Sequence, residues 1–153
     1  MKNKTKLVGE SGFNQFYSEL FGSRWEALKE SFFKENQSVE YKIEDCESYF
    51  LDSASVFAAL CLPLENAQNI LDLCAAPGGK TLVLASRMPN DAKLFSNERS
   101  ASRVNRLKKV VETCLPETIS QRVKVSCSDG ATWCKRQSEC FDRILLDAPC
   151  SSE

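Results

Sequence analysis

Short apolar segments alternate with amphipathic ones from Asn69 to the end of the chain. Buried strands are predicted at four of them: 70–73, 93–96, 122–126 and 141–147. Helices are predicted between the strands, at 80–88 and 99–115, with a short one near 132–136. Strands that alternate with helices form a parallel sheet covered on both faces. We therefore predict an α/β fold with four parallel strands.

The residues before this region have a helical pattern. An apolar stripe at helical spacing predicts a first helix, formed by Phe13, Phe16, Tyr17, Leu20 and Phe21. Gly22 ends it, and Ser23 with Glu26 predicts a capping box that starts a second helix. The polar segment 36–48 is expected to be irregular. A third helix is expected from Asp52 or Ser53 to just before Pro63. This predicts a helical region over 1–66 and an α/β domain over 67–153.

The segment 71–81, which reads LDLCAAPGGKT, lies between the first predicted strand and its helix. In an open parallel sheet, ligands bind at such strand-to-helix turns. Gly78 and Gly79 allow the backbone to approach a ligand closely. The amide groups at the start of the helix favour an anionic group there. A tight turn without a ligand is the alternative, and the compact Gly-Gly-Lys-Thr run argues against it.

The composition excludes several classes of chemistry. The chain has no histidine, which removes Ser-His-Asp and Cys-His catalysis within it. Its eight cysteines include no Cys-x-x-Cys pair, so we predict no metal site. The apolar stretch 56–64 is too short to span a bilayer, which predicts a cytoplasmic protein without membrane contact. The net charge of −1 argues against nucleic-acid binding through bulk charge alone.

Two ligands compete for the glycine turn. A P-loop requires the pattern G-x-x-x-x-G-K-[ST], which Gly79, Lys80 and Thr81 satisfy. Cys74, however, occupies the position of the first glycine, and Pro77 would disturb a phosphate cradle. A nucleotide hydrolase is therefore the weaker alternative.

S-adenosylmethionine is the other ligand. An acidic residue follows each of the later strands: Glu98, Asp129 and Asp147. Glu98 could accept both ribose hydroxyls, as the acid does in dinucleotide-binding folds. Asp129 could accept from the adenine amino group, and Asp147 could lie near the ammonium and the transferred methyl group. Binding of a nucleoside triphosphate would not explain Glu98 or Asp129. The three acids together with the glycine turn therefore favour S-adenosylmethionine.

With these motifs, the sequence resembles the Sun-type (Nol/Nop/Sun) RNA 5-methylcytosine methyltransferases in their compact form. The resemblance is carried by segments 71–81 and 145–152, LDLCAAPGGKT and LLDAPCSS. Asn97-Glu98, Arg103, Asp129-Gly130 and Trp133 support it in order and spacing. It implies a Rossmann-like class I methyltransferase sheet, of which this chain would contain the first four parallel strands after a helical N-terminal segment.

The resemblance implies an S-adenosylmethionine site made of twelve residues: Cys74, Ala75, Ala76, Pro77, Gly78, Gly79, Lys80, Glu98, Arg103, Asp129, Gly130 and Asp147. Aspartate is usual at the position of Glu98 in this family, and the longer side chain should still reach a ribose.

The implied reaction forms 5-methylcytosine by covalent catalysis. A cysteine thiolate adds to carbon 6 of cytosine, and carbon 5 then attacks the methyl group. Asp147 and Cys150 belong to the active-site motif, and the resemblance gives Cys150 the role of assisting product release. The attacking cysteine would lie on a strand beyond Glu153. We therefore expect this chain alone to be inactive as the cofactor-binding half of the enzyme, or to act as a non-catalytic cofactor-binding module.

The implied partner is RNA, and the compact family members suggest ribosomal RNA and a role in rRNA processing. The segment 99–110 carries five positive charges and no negative ones: Arg99, Arg103, Arg106, Lys108 and Lys109. This helix could contact RNA phosphates. A solvated helix surface explains the same pattern equally well.

Overall fold

The computed structural model describes residues 8–35, 38–135 and 139–148. By its contacts the chain divides into two compact units, Met1–Asn36 and Gln37–Glu153. This division lies earlier in the chain than residue 66, where the change in sequence pattern placed the predicted boundary. The difference arises because the segment 38–60 packs against the first helix of the α/β region.

Within residues 8–35, the first unit contains two helices, α1 (Gly9–Phe21) and α2 (Trp25–Ser31), joined by a 3-10 turn at Gly22–Arg24. The predicted apolar stripe forms a cluster of aromatic rings, in which the centroid of buried Trp25 lies 5.2 Å from that of Tyr17. The predicted capping box is wrong. Ser23 lies inside the 3-10 turn, and no side-chain hydrogen bond caps α2.

The second unit begins with an antiparallel hairpin of β1 (Ser38–Tyr41) and β2 (Tyr49–Asp52). The prediction of irregular structure over 36–48 is therefore wrong for β1, where Val39 pairs with Leu51 and Tyr41 with Tyr49. Helix α3 (Ser53–Leu60) begins at Ser53, one of the two predicted start residues, and directly follows β2, a strand that was not predicted. The Asp52 carboxylate caps it by accepting a hydrogen bond from the Ser55 amide at 2.8 Å.

The central sheet confirms the predicted α/β class. Its four strands are all parallel: β3 (Asn69–Asp72), β4 (Lys93–Glu98), β5 (Val123–Cys127) and β6 (Arg143–Leu145). Three helices connect them: α4 (Gly79–Arg87), α5 (Ala101–Cys114) and the short α6 (Glu117–Ser120), which was not predicted. The helix expected near 132–136 is a 3-10 turn at Gly130–Lys135.

The strand order β5-β4-β3-β6 creates a switch point. The chain moves outward from β3 through β4 to β5, and then returns to place β6 on the other side of β3. The direction of winding therefore reverses between β3 and β6. Ligands of doubly wound folds bind at the carboxyl ends of the strands where such a reversal occurs.

The core is formed where helices cover this sheet. Segment 81–85 of α4 is fully buried, and α5 buries one face through Val104, Leu107, Val110 and Val111. Strand β6 is an edge strand of the described sheet, and Ile144 on it is half-exposed. Three of the four residues of β3 are buried, and the glycine turn begins where this strand ends.

Candidate functional site

A cavity of about 440 Å³ lies at the switch point, within the size range of small-molecule sites. Eight of the twelve predicted cofactor-binding residues line it: Cys74, Ala75, Ala76, Pro77, Gly79, Lys80, Arg103 and Asp147. Gly78, Glu98, Asp129 and Gly130 do not line it. The structure thus brings the glycine turn and the end of β6 together around one opening.

The opposite wall of the cavity comes from β2 and the start of α3, which the sequence analysis did not assign to the site. Its residues are Tyr49, Phe50, Leu51, Asp52 and Ser55. The sequence offers one local signal for these residues, which is an apolar strand that ends at Asp52, the residue that caps α3. Nothing in that signal specifies that the segment meets a loop more than twenty residues later.

The two glycines of the turn serve different contacts. Gly78 has φ +121°, and a Cβ on it would lie 2.8 Å from Val110 Cγ1 on α5. A Cβ on Gly79 would lie 3.1 Å from Tyr49 Cε1 on β2. Gly78 therefore permits the turn and its packing on α5, whereas Gly79 permits close approach of the hairpin that forms the far wall.

Lys80 lines the cavity and pairs with two other lining residues. Its Nζ is 2.6 Å from Asp147 Oδ2 and donates a hydrogen bond to Ser55 Oγ at 3.2 Å. Asp147 is more than half exposed, while Lys80 is about one-fifth exposed. This ammonium connects α4 to both β6 and α3.

The same geometry argues against the P-loop alternative. A P-loop uses the hydroxyl after its lysine to bind magnesium. Here the Thr81 hydroxyl is fully buried and donates to Asp72 Oδ2 at 2.7 Å. The hydroxyl is therefore part of the core beneath the turn, and Lys80 is already paired with a carboxylate.

Asp72, at the end of β3, is buried beneath the turn. Burial raises the pKa of its carboxyl group to about 6, against the opposing effects of the Thr81 hydroxyl and the Lys80 charge. Its Oδ1 has no hydrogen-bond partner among the described residues. The neutral form of this side chain is thus favoured below about pH 6.

Glu98 is enclosed by its own surroundings. Its Oε1 accepts from the Ser100 amide at 2.9 Å, and its Oε2 lies 3.4 Å from Arg103 Nη1. Arg103 also donates to the Ala76 carbonyl at 2.6 Å. The guanidinium therefore links the buried acid to the glycine turn, and Arg103 lines the cavity whereas Glu98 does not.

Asp129 and Gly130 lie at the same sheet edge, after β5. Asp129 Oδ1 accepts from the Ala131 amide at 3.1 Å, and a Cβ on Gly130 would lie 2.9 Å from Leu73 Cδ1. The intervening Asn97 joins the strand ends, because its amide group donates to the Leu73 carbonyl at 3.2 Å and to the Ser128 carbonyl at 3.0 Å. These residues order the edge of the sheet beside the cavity.

Two cysteines, Cys74 and Cys150, belong to the predicted site. Burial, followed by the charges of Glu98 and Asp72, raises the pKa of the Cys74 thiol. A raised pKa disfavours the thiolate, so Cys74 is poorly suited to nucleophilic attack. Cys150, the predicted active-site cysteine, lies outside the described residues.

Comparison with known proteins identifies the family. The family described as 16S rRNA methyltransferase RsmB/F matches residues 59–153. The chain belongs to this family. The Sun-type resemblance is thereby confirmed, and the match covers the whole of the predicted glycine turn and all later strands.

Two relatives from mouse illustrate the range of the similarity. The chain is 39% identical over 107 residues to 5-cytosine rRNA methyltransferase NSUN4, covering 69% of this chain and 28% of that protein. It is 37% identical over 105 residues to the mitochondrial tRNA (cytosine(34)-C(5))-methyltransferase, covering 69% of this chain and 30% of that protein. The chain thus spans less than a third of the length of either relative.

Two solved structures share the fold. PH0851 superposes with a TM-score of 0.75 at 22% identity, over 92% of this chain and 41% of that chain. NSun6 from Pyrococcus horikoshii, solved with SFG, gives a TM-score of 0.56 at 30% identity, over 67% of this chain and 26% of that chain. These likenesses confirm the predicted class I methyltransferase fold.

No helix within residues 8–35, 38–135 and 139–148 has both the length and the apolar composition needed to cross a bilayer.

Proposed function

We propose that this chain binds S-adenosylmethionine as part of an enzyme that forms 5-methylcytosine in RNA. The observation that carries the proposal is the cavity at the switch point, lined by the glycine turn and by the Lys80–Asp147 pair. Its membership of the RsmB/F family and the names of its relatives as cytosine-5 RNA methyltransferases support the same conclusion.

The lining fits this cofactor. The cavity wall combines apolar side chains of the turn and the hairpin with convergent polar groups from Asp52, Ser55, Lys80, Arg103 and Asp147. The turn ends at the start of α4, where backbone amide groups can donate hydrogen bonds to a carboxylate. We propose that segment 74–80 and Arg103 hold the cofactor directly, and that Glu98, Asp129 and Gly130 act at the neighbouring edge.

Bound S-adenosylmethionine supplies an activated methyl group on its sulfonium sulfur. The residues of this chain would orient that group and the target base. Lys80 holds the Asp147 carboxylate at the cavity mouth, so that Asp147 can accept a hydrogen bond from the ligand or the base. Cys150 follows Asp147 by three positions, and we propose for it the role in product release that the family resemblance implies.

The names of the relatives and of the family point to two classes of RNA substrate. One relative acts, by its name, on rRNA and the other on tRNA, and the family description refers to 16S rRNA. We propose ribosomal RNA as the substrate. Four basic residues that are exposed on or next to α5 are available to its phosphates: Arg99, Arg106, Lys108 and Lys109. Action in the cytoplasm is also proposed, although the name of the tRNA enzyme places that relative in mitochondria.

Calorimetric titration with S-adenosylhomocysteine, and in parallel with magnesium ATP, tests cofactor binding. We expect S-adenosylhomocysteine to bind and ATP not to bind. Lys80→Met should weaken the binding roughly tenfold, the size of one lost charged contact. Lys93→Met is the matched control, because Lys93 is exposed at the opposite end of β4 and should have no effect. Binding of ATP alone would instead establish a nucleotide site.

Methyl transfer to RNA is tested separately, by incorporation of labelled methyl groups into ribosomal RNA and transfer RNA. Because the chain alone is expected to be inactive, we expect incorporation into ribosomal RNA only when a polypeptide that supplies the attacking cysteine is added. This incorporation should fall at least a hundredfold in Asp147→Asn. Undiminished cofactor binding without incorporation into either RNA would favour the alternative of a non-catalytic cofactor-binding module.

A further inference from the structure

The Lys80 ammonium has three N–H groups and two described partners. Asp147 Oδ2 is one, at 2.6 Å, and Ser55 Oγ is the other, at 3.2 Å. The two partners approach from different elements, since Asp147 follows β6 and Ser55 lies in the first turn of α3. A lysine side chain has four rotatable bonds, and a single hydrogen-bond partner leaves much of this conformational freedom in place. Two partners on separate elements restrict the ammonium far more.

Ser55 is itself fixed by Asp52. The Asp52 carboxylate accepts the Ser55 amide at 2.8 Å through Oδ1 and the Ser55 hydroxyl at 2.9 Å through Oδ2. Because the Ser55 hydroxyl proton is donated to Asp52, its oxygen lone pairs face other donors, and Lys80 supplies one. The cap of α3 thereby orients the hydroxyl as an acceptor.

Helix α3 is held against α4 at a second point. Arg87 Nη1, in the last turn of α4, donates to the Ala59 carbonyl at 3.2 Å. Leu51, just before the cap, packs against the position where a Gly79 Cβ would be, at 3.3 Å. Loss of the Ser55 hydroxyl should therefore leave α3 in place and free only the ammonium.

We propose that Ser55 is a positioning residue for the site: held by the Asp52 cap, its hydroxyl fixes the Lys80 ammonium against Asp147 and leaves the third N–H of Lys80 for an acceptor oxygen of the ligand in the cavity. This inference rests on the proposed function for the identity of that ligand. It assigns the hairpin and α3 a direct part in the site, in addition to forming its wall.

Competitive acetylation of the intact chain, read by mass spectrometry at Lys80 with Lys93 as internal reference, measures how tightly the ammonium is held. We expect Ser55→Ala to raise the relative rate at Lys80 at least threefold. Ser55→Thr keeps a hydroxyl and should leave the rate unchanged. Asp52→Asn keeps a capping oxygen and should have a smaller effect than Asp52→Ala. The same variants are titrated with S-adenosylhomocysteine, for which Ser55→Ala should lose between about twofold and tenfold in affinity.

An unchanged Lys80 rate in Ser55→Ala, in a protein with unaltered circular dichroism, would overturn the proposal, because Asp147 alone would then hold the ammonium. If Ser55→Ala does not fold, equal rates in Asp52→Ala and Asp52→Asn overturn it instead. The labelling does not depend on the cofactor. A raised rate together with no S-adenosylhomocysteine binding by any variant or the wild type would therefore refute the proposed function while supporting the positioning role.

Discussion

The two sides of the glycine turn are built differently. On the β4 side, Glu98 is buried and its partners are near in sequence: the Ser100 amide and Arg103. On the β6 side, Lys80 joins Ser55 and Asp147, which come from distant parts of the chain, and Asp147 is exposed. Lys80, Ser55 and Asp147 all line the cavity, whereas Glu98 does not. We therefore expect that the β4 side supports the turn and that the β6 side presents groups to a ligand.

The largest expected effect concerns the support of the turn itself. Gly78→Ala should lower the free energy of unfolding by about 3–4 kcal/mol, since it adds backbone strain at φ +121° to a contact of 2.8 Å with Val110. Gly130→Ala is the matched control. Its Cβ would make a similar contact of 2.9 Å with Leu73, but Gly130 does not have the positive φ of Gly78. We expect the control to lose about 1–2 kcal/mol in urea denaturation. Equal losses would show that backbone strain at the turn is unimportant.

The next effect is a pH dependence beneath the turn. Burial raises the pKa of Asp72 to about 6 from its usual 3.8, so the folded protein retains this proton to a higher pH than the unfolded chain does. Stability should therefore fall as the pH rises from about 4 to about 6, by roughly 3 kcal/mol, and change little from this group above pH 6. Denaturation midpoints between pH 4 and pH 7 measure it.

Asp72→Asn is the corresponding variant, because it cannot ionise and still offers an oxygen to the Thr81 hydroxyl. Its stability should lack the Asp72-dependent fall over this pH interval. A wild-type profile that runs parallel to that of Asp72→Asn would contradict the raised pKa of Asp72.

The smallest effect compares the two sides directly. Arg103→Met leaves the buried Glu98 carboxylate without its cation, and we expect a loss of about 1–2 kcal/mol, reduced because Arg103 is itself half-exposed. Lys80→Met leaves the exposed Asp147 carboxylate in water, so the loss should be under about 1 kcal/mol. Thermal melting of both variants measures the difference. A larger loss in Lys80→Met would reverse the assignment of the supporting and the ligand-facing sides.

Much of the α/β region could be predicted because its signals are local. The apolar strand before a double glycine, the helix after it and the acids at strand ends all follow from short-range pattern, and the parallel four-strand sheet has the predicted strands to within a few residues. Turn chemistry was less reliable. Ser23 and Glu26 fit a capping box. However, Ser23 lies within the 3-10 turn Gly22–Arg24, and α2 begins only at Trp25.

The sequence by itself determined the class of fold, the glycine turn as the centre of the site, and eight of the residues that line the cavity. It could not assign Tyr49, Phe50, Leu51, Asp52 and Ser55 to that site, or foresee that Arg103 lines the cavity while its partner Glu98 does not. Those facts depend on contacts between segments far apart in the chain, such as Lys80 with Ser55 and Asp147. Sequence periodicity specifies which face of an element is buried, and only the packed structure decides what that face meets.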